Sequence, residues 1–292
     1  MKTESKNIFC SVSAGYSSVM MAIKMREWFP DHNIINVMAN TSKEWIESLE
    51  FMNECDKHFG LNLIWIEAVI NPIRREGNNF AVRTFEELDK EGKIYEQAIV
   101  KYGIPSNVNK WCNRELKYEP MTKFIKGIWG DDYSVAIGIR ADELDRVSDN
   151  YFTNNIFYPL LDNAVDSRLR NKFWNNQPIK IKIPAFKGNC DLCFKKSNRK
   201  IWTILKENTE TAKWWIEMEK KYSGIMIDGK PVYNSFIEKD GGHYFFRENL
   251  CTKQKIKESK TKKFRMATDE YVYENDLFDY EDECGSACVP FK

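Results

Sequence analysis

The chain has 292 residues, of which 42% are hydrophobic and 30% are charged, as in ordinary soluble globular proteins. Its length is sufficient for one large domain, or for one domain with an appendage. The formal net charge of +1 argues against a surface that attracts polyanions everywhere, and no apolar run approaches the roughly 20 residues of a membrane span. The polar N-terminal segment precedes an apolar stretch that is too short for a secretory signal, so we expect a cytoplasmic protein.

The first half of the chain alternates short apolar runs with amphipathic ones. Residues 7–12 are typical of a buried strand, residues 13–18 form a turn of small residues, and residues 19–28 have helical periodicity. Strands that alternate with helices predict an α/β fold, a Rossmann-like parallel sheet with helices on both faces and any ligand at the carboxyl ends of the strands. The further elements predicted here are strands at 34–38, 61–66, 134–139 and 156–160 and a helix at 44–59.

Two later regions depart from this alternation. Residues 70–130 are predicted to be helical and irregular and to form an insertion over the ligand-binding edge. From about residue 184 the pattern becomes helical, so we divide the chain into an α/β domain at 1–183 and a helical C-terminal region at 184–292. Within that region the clearest helices are predicted at 196–207 and 211–222, and a weakly ordered polar tail follows.

Charge is distributed unevenly near the C-terminus. Residues 253–265 are dense in lysine and arginine, whereas residues 269–283 are dense in aspartate and glutamate. Such charge runs are mostly surface features. We interpret them as two solvated faces of opposite charge that are able to attract each other.

The cysteines are grouped in a way that favours a metal centre. Cys190 and Cys193 form a C-x₂-C pair 78 residues after Cys112, and Cys284 and Cys288 lie near the end of the chain. Because thiols stay reduced in the cytosol and thiolates are the ligands of zinc and iron–sulfur centres, this grouping predicts such a centre rather than disulfides. Four thiolates suit zinc and iron–sulfur clusters equally, and the alternative is a set of buried thiols without metal.

The turn at 13–18 has the composition of a phosphate-binding loop. Small residues between a buried strand and a helix allow backbone N–H groups to approach a phosphate, and the helix N-terminus adds partial positive charge. The turn matches neither the Walker pattern nor the G-x-G-x-x-G fingerprint. An ordinary connecting turn is therefore the alternative interpretation.

Residues 11–18 resemble the pyrophosphate-binding loop, Ser-Gly-Gly-x-Asp-Ser, of the adenine-nucleotide alpha-hydrolase (PP-loop) superfamily, in particular its phosphoadenosine phosphosulfate (PAPS) reductase branch. Further similarities follow in the order of that family. Residues 39–44 resemble its strand-two motif, and the segment from Cys112 through Lys117 to Pro120 resembles its Cys-Cys-x-x-Arg-Lys-x-Glu-Pro motif. The Gly-x-Arg block at residues 138–143, the Tyr-Pro-Leu at 158–160 and the C-x₂-C pair complete the series.

The resemblance covers roughly residues 7–222 and is closest to the PAPS-reductase-like proteins often encoded by bacteriophages and mobile elements, which are similar to the sulfur-transfer enzymes of DNA phosphorothioation. It implies a PP-loop fold, an iron–sulfur cluster, Mg²⁺ in some reactions, and a thiol reductant protein as partner. The implied chemistry is reduction of a sulfonucleotide, APS or PAPS, or ATP-dependent sulfur transfer. The residues implied to bind the adenine nucleotide are Ser11, Ser13, Ala14, Gly15, Tyr16, Ser17, Ser18, Asn40, Thr41 and Gly138.

Two cationic residues of the matched motifs are implied to be catalytic. Arg140 is able to grip a phosphate or sulfate bidentately, and Lys117 supplies a point charge near the cysteine motif. Arg146 is a further candidate, with pairing to a nearby carboxylate as the alternative.

The chain departs from the family pattern at the loop and at the cysteine motif. Ser17 stands at the position of the loop aspartate, Ala14 replaces a glycine, and Tyr16 precedes Ser17. Loss of a carboxylate that could orient Mg²⁺ predicts that phosphate binding survives more readily than nucleotide cleavage. Asn113 replaces the second cysteine of the family pair, so a fourth ligand has to come from elsewhere.

The tail cysteines offer that ligand in two arrangements. In the first, Cys284 and Cys288 complete a site with Cys190 and Cys193, and Cys112 does not bind metal. In the second arrangement, the ligands are Cys112, Cys190, Cys193 and one tail cysteine, Cys288 or Cys284. We favour this arrangement because Cys112 lies in the matched motif. Glu283-Cys284-Gly285 resembles the tail in which sulfonucleotide reductases carry their nucleophilic thiolate, which makes Cys284 the candidate nucleophile.

A different class of protein remains as the alternative. Ser17 in the loop is consistent with a catalytically degenerate protein that binds nucleotide or associates with nucleic acid and holds zinc or an iron–sulfur cluster for structure alone. Nothing in the sequence directly supports nucleic acid as a partner. The sequence does not determine the oligomeric state, and a homo-oligomer is compatible with it.

Overall fold

In the computed structural model the fold is built on one six-stranded sheet with the order β4-β3-β2-β1-β5-β6. Neighbouring strands are parallel except at one edge, where β4 runs antiparallel to β3. The strands are β1 (Asn7–Ser11), β2 (Asn33–Asn40), β3 (Ile64–Val69), β4 (Asn79–Arg83), β5 (Ser134–Ile137) and β6 (Ile156–Phe157), and a separate antiparallel pair is formed by β7 (Met226–Ile227) and β8 (Lys230–Pro231). The structure describes residues 5–106, 109–148, 155–222, 226–227, 230–231, 246 and 250–268.

Helices cover both faces of the sheet and build the C-terminal region, which confirms the predicted α/β class. Residues 111–129 are helical throughout, with a π-helical turn, Arg114–Tyr118, between two α-helical parts. Single 3₁₀ turns occur at Leu144–Arg146, Ala185–Lys187 and Thr209–Ala212. The α-helices are α1 (Tyr16–Trp28), α2 (Ile46–Phe59), α3 (Lys93–Tyr102), α4 (Trp111–Asn113), α5 (Glu119–Trp129), α6 (Pro159–Asp162), α7 (Ser167–Asn175), α8 (Asn198–Glu207), α9 (Lys213–Tyr222) and α10 (Thr252–Thr261).

The central strand is buried on both of its faces. In β1 the side chains of Ile8, Phe9 and Cys10 are fully inaccessible, as expected for a strand flanked by parallel neighbours and covered by helices. Ile8 faces one core, which it shares with Met21 of α1, whereas Phe9 faces a second core on the side of α5. Continuous apolar character rather than alternation is therefore what made this strand recognisable.

A third core joins the predicted insertion to the C-terminal region. Tyr95 and Trp111, from the insertion, pack in one buried cluster with Leu192, Leu205 and Trp215. These two parts of the chain consequently share their apolar interior beside the carboxyl edge of the sheet.

Three local predictions need correction. The region predicted as helical and irregular at 70–130 contains β4, a half-exposed edge strand that pairs with one neighbour only and so carries little apolar signal. The strand predicted at 156–160 ends at Phe157, because Pro159 begins α6. Helix α10 was not predicted, since its sequence is rich in lysine and contains one large apolar residue, Ile256.

Within the described part of the chain, no helix combines the length and apolar character that crossing a membrane requires.

Gly138 sets the distance between β5 and the start of α1. A Cβ atom at this position would lie 2.7 Å from the Ser18 Cα and 3.2 Å from the Ser17 carbonyl oxygen. Both neighbours are backbone atoms, so no side-chain rotation could relieve the contact. Only a glycine allows the N-terminus of α1 to lie this close to the end of β5.

Replacing Gly138 with alanine is expected to lower the free energy of unfolding by about 1–3 kcal/mol, because the added methyl group overlaps backbone atoms of α1. Urea denaturation measures the change. Gly127→Ala is the matched control, since nothing lies within 4 Å of an added Cβ. Because Gly127 lies inside α5, its replacement by alanine should raise the free energy of unfolding by about 0.5–1 kcal/mol. Equal stability of the two variants would contradict the close approach.

Candidate functional site

The predicted phosphate loop lies at the carboxyl edge, between the end of β1 and the start of α1. The turn is shorter than predicted, because α1 begins at Tyr16 rather than at residue 19. Gly15, the N-cap residue, is extended and offers no capping side chain, and the first turn carries no acidic residue. The N–H groups of this turn are consequently available to an anion.

Ser18 holds the loop in shape. Its Oγ accepts a hydrogen bond from the Ser13 amide at 2.9 Å and donates to the Ser11 carbonyl oxygen at 3.4 Å. Ser18 is buried, whereas Ser13 and Gly15 are exposed. The loop therefore presents an accessible backbone whose shape is held by hydrogen bonds within the loop.

Tyr16, one of the departures from the family loop, is used for packing. Its ring stacks on Trp174 of α7 with centroids 4.7 Å apart, and its carbonyl oxygen accepts a hydrogen bond from the Trp174 indole at 2.9 Å. The Tyr16 hydroxyl accepts a further bond from the Ile181 amide at 3.1 Å. This side chain fastens α7 to the loop and points away from the accessible backbone.

Arg140 reaches the same loop from the end of β5. Its Nη1 donates to Ser17 Oγ at 3.1 Å, and its guanidinium pairs with Asp142 at 2.8 Å and with Glu143 at 3.2 Å. Glu143 also pairs with Arg146, which is the carboxylate pairing given above as the alternative to a catalytic role of Arg146. Burial opposes the charge of Asp142, but the hydrogen bond and charge of Arg140 outweigh it and lower the pKa of this carboxyl. Arg140 is therefore held rigidly beside the start of α1.

Asn40 and Thr41, at the end of β2, have side chains that the fold itself uses. Asn40 is fully buried and donates to Glu67 Oε1 at 2.6 Å and to the Asp89 carbonyl oxygen at 2.8 Å. The Thr41 hydroxyl donates to Glu44 Oε2 at 2.7 Å and lies 3.5 Å from the Cys190 sulfur. These bonds account for both side chains without a nucleotide and place Thr41 between the two halves of the site.

The C-x₂-C segment is bound directly to the end of β2. Cys190 forms an antiparallel bridge with Glu44, and the Asp191 amide donates to the Lys43 carbonyl oxygen at 2.8 Å. The Lys43 ammonium group is 2.8 Å from the Asp191 carboxylate, and both side chains are largely buried. Asp191 also accepts a hydrogen bond from the Trp215 indole at 2.9 Å, which ties α9 to the same point.

One buried phenol is affected by all three of the described candidate ligands. Tyr95 of α3 is 2% exposed, and the pKa of its hydroxyl is raised well above its usual value by burial and then by Cys112, Cys190 and Cys193, with a hydrogen bond to Cys112. Cys112 and the C-x₂-C pair therefore lie near the same phenol.

The charged residues around Cys190 favour a protonated thiol in the absence of metal. Burial and then the Glu44 carboxylate raise the pKa of Cys190, and Lys117 opposes this shift. Lys117 lies 3.3 Å from Glu44 and therefore serves as its counter-ion. Both lie beside the cysteine pocket, which consists of Cys112, Cys190, Cys193 and Tyr95. A bound cation would be needed to deprotonate such a thiol at neutral pH.

The donor set suits a thiolate-bound metal but is incomplete. Among the residues that the structure describes, no group of three or more His, Cys, Asp or Glu side chains is arranged to hold an ion. The two candidates for a further ligand, Cys284 and Cys288, lie outside the described residues. Thiolates are the ligands that zinc and iron–sulfur centres select, so the chemistry of the cysteines present suits either group.

Two other cysteines and the tryptophan pair of α9 belong to the packing of the fold. Burial raises the pKa of Cys10 and, together with Glu54, raises that of Cys55 to about 12, so both are inert core thiols. Trp215 is buried and packs edge-to-face on Trp214, whose ring lies 4.5 Å from the Lys43 ammonium group.

Sequence reasoning missed several residues that build the pocket, namely Tyr95, Lys43, Glu44 and Asp191. Three of them were within reach, because Lys43 and Glu44 belong to the matched segment 39–44 and Asp191 stands inside the C-x₂-C pair. Tyr95 carried no signal, since a tyrosine in an amphipathic helix is ordinarily a core residue.

Asp191→Ala is expected to lower the free energy of unfolding by about 3 kcal/mol, because it leaves the Lys43 charge buried and unpaired. Thermal or urea denaturation measures the loss, and adding Lys43→Met should restore most of it. Glu91→Ala is the matched control, since its pair with Lys93 is exposed to solvent and its removal should have no measurable effect. Equal effects of Asp191→Ala and Glu91→Ala would show that the buried pair does not hold the segment in place.

Comparison with known proteins found no matching family model. The chain is 28% identical over 175 residues to an uncharacterized nin region protein of Escherichia phage lambda, covering 59% of each chain. It is 26% identical over 139 residues to an uncharacterized protein of Methanocaldococcus jannaschii, covering 47% of this chain and 24% of that one. The chain thus matches less than two thirds of the length of either relative, and similarity extends from a phage protein to an archaeal one.

Proposed function

We propose that this protein is a PAPS-reductase-like adenine-nucleotide-binding enzyme with a cysteine-ligated iron–sulfur cluster, acting in sulfonucleotide reduction or ATP-dependent sulfur transfer. One observation carries the proposal. The loop before α1 follows the end of β1, and Thr41 follows the end of the neighbouring strand β2, where its hydroxyl lies 3.5 Å from the Cys190 sulfur. A purely structural metal would not require that position.

The residues of the edge divide the work of binding. Backbone N–H groups at the start of α1 would receive the phosphates, and Arg140 would stabilise negative charge that develops on the leaving phosphate. Lys117 would draw an anionic sulfate group toward the cysteine pocket. A bound cluster would supply electrostatic or redox chemistry beside the sulfate.

In the reductive version, Cys284 is the nucleophile. Its thiolate attacks the sulfate sulfur, the bond from sulfur to the phosphate oxygen breaks, and the nucleotide leaves with that electron pair. A thiol of the reductant protein then attacks the Cys284 sulfur, which releases sulfite and leaves a mixed disulfide. A second thiol of the reductant breaks that disulfide, so that Cys284 is returned as a thiol and the reductant carries the disulfide. The reductant is thereby oxidised and the sulfur of the sulfate is reduced.

A nucleotide-binding protein without turnover is the second candidate. Ser17 favours it, because Arg140 donates to the serine hydroxyl where the family carries an aspartate. In that case the cysteine centre is structural, and zinc serves as well as iron.

Protein purified without oxygen is expected to contain iron and acid-labile sulfide and to absorb in the visible range. Cys193→Ala should abolish the metal content and lower the free energy of unfolding, because binding free energy at such a site is also folding free energy. Cys55→Ala, which removes a buried thiol of α2 outside the site, is the control and should keep the metal. Bound zinc in place of iron would support the structural-metal candidate, and an unaltered melting temperature in Cys193→Ala would argue against any centre.

Calorimetry with ATP, APS and PAPS is expected to detect binding to at least one of them, with little hydrolysis by the wild-type chain. Ser17→Asp should raise turnover about tenfold, because a carboxylate at this position is able to orient Mg²⁺ and to pair with Arg140. Ser17→Asn is the control, because asparagine has the shape of aspartate without its charge. No binding at millimolar concentration would refute the nucleotide proposal, and equal rates for Asp and Asn would exclude the carboxylate as the missing group.

A further inference from the structure

Helix α10 has one buried side and one strongly basic side. Thr252, Lys255 and Ser259 face the interior, where Lys255 Nζ donates to Asn198 Oδ1 at 2.9 Å and pairs with Glu258 at the same distance. The opposite side carries Lys253, Lys257 and Lys260, which are all exposed and form one stripe because they are spaced four and three residues apart.

This lysine stripe, Lys253, Lys257 and Lys260, is electrostatically unsatisfied. None of the three forms an ion pair with a residue in the described ranges. Exposed Lys263 and Arg265 extend the positive charge beyond the helix. Like charges three and four residues apart destabilise a helix, so the stripe favours a negatively charged occupant.

The chain after α10 turns back along α8. Within α10, Lys255 contacts the first residue of α8 and Glu258 accepts from Trp202, so the two helices run in the same direction. Beyond α10 the Phe264 ring packs on Trp202 with centroids 5.4 Å apart. The Ala267 amide then donates to Thr203 Oγ1 at 2.9 Å, which anchors the chain on α8.

We propose that the acidic segment 269–283 docks on the lysine stripe of the same chain. The segment contains eight acidic residues and no basic one, and it begins two residues after the Ala267 anchor. Such a short tether gives the segment an effective concentration of about millimolar, and a polyanion of equal intrinsic affinity in solution would have to reach a comparable free concentration to compete with it. Charge complementarity and tethering together favour the segment over a separate polyanion.

Amine acylation of the full-length chain tests the docking in the absence of nucleotide. At low salt the three stripe lysines are expected to be modified about threefold more slowly in wild type than in a variant with Glu274→Gln, Asp276→Asn, Asp279→Asn and Glu281→Gln. The difference should vanish near 1 M salt, where the screening length is about 3 Å. Exposed Lys57, at the end of α2, is the internal control and should be modified equally in all samples.

Charge reversal supplies the second arm. Lys253→Glu, Lys257→Glu and Lys260→Glu should accelerate proteolysis within 269–283, and lysines at the four neutralised tail positions should restore protection. Equal acylation in wild type and the neutralised variant would overturn the docking. The docking would also be overturned if a single-stranded oligonucleotide protected the stripe lysines equally well in wild type and in the neutralised variant. That result would assign the surface to nucleic acid. Neither readout involves nucleotide or metal, so failure of the proposed function would leave it unchanged.

Discussion

The attachment of the C-x₂-C segment to the end of β2 is the contact on which the candidate site depends. The backbone bridge between Glu44 and Cys190 and the buried pair of Lys43 and Asp191 are the links that bring the C-terminal region to the sheet. A buried ion pair contributes little net stability, because desolvation offsets the attraction, but it allows few alternative registers. Its value here lies in position: it fixes Cys190 next to Thr41.

Tyr95 gives the pocket its second constraint. The phenol is buried against Trp111, Trp214 and Trp215, so its hydroxyl has little freedom to leave the three cysteines. In the proposed metal centre, a hydrogen bond between this phenol and Cys112 would tune the bound metal. A π-helical turn begins two residues after Cys112, and such turns frequently occur at functional sites.

The fold was predictable to the extent that its signal was local. The apolar run of β1 and the small residues before α1 identified the central unit, and Gly138 was found because its neighbours matched a motif. β4 was not predictable, because an edge strand with one partner needs little apolar character. In the site, the cysteines were identified by spacing, whereas Tyr95 is brought to them only by packing of the third core, which no spacing in the sequence encodes.

The loop at the start of α1 keeps its shape without a carboxylate at position 17. With serine at position 17, the Arg140 guanidinium takes its charge balance from Asp142 and Glu143 on its own segment. Its orientation therefore no longer depends on a carboxylate in the loop, and the loop backbone keeps its shape through Ser18. What serine does not supply is the negative charge that would hold a metal ion beside the phosphates of the proposed nucleotide. In the proposed function this edge therefore holds an anion, and any cleavage draws on groups outside the loop.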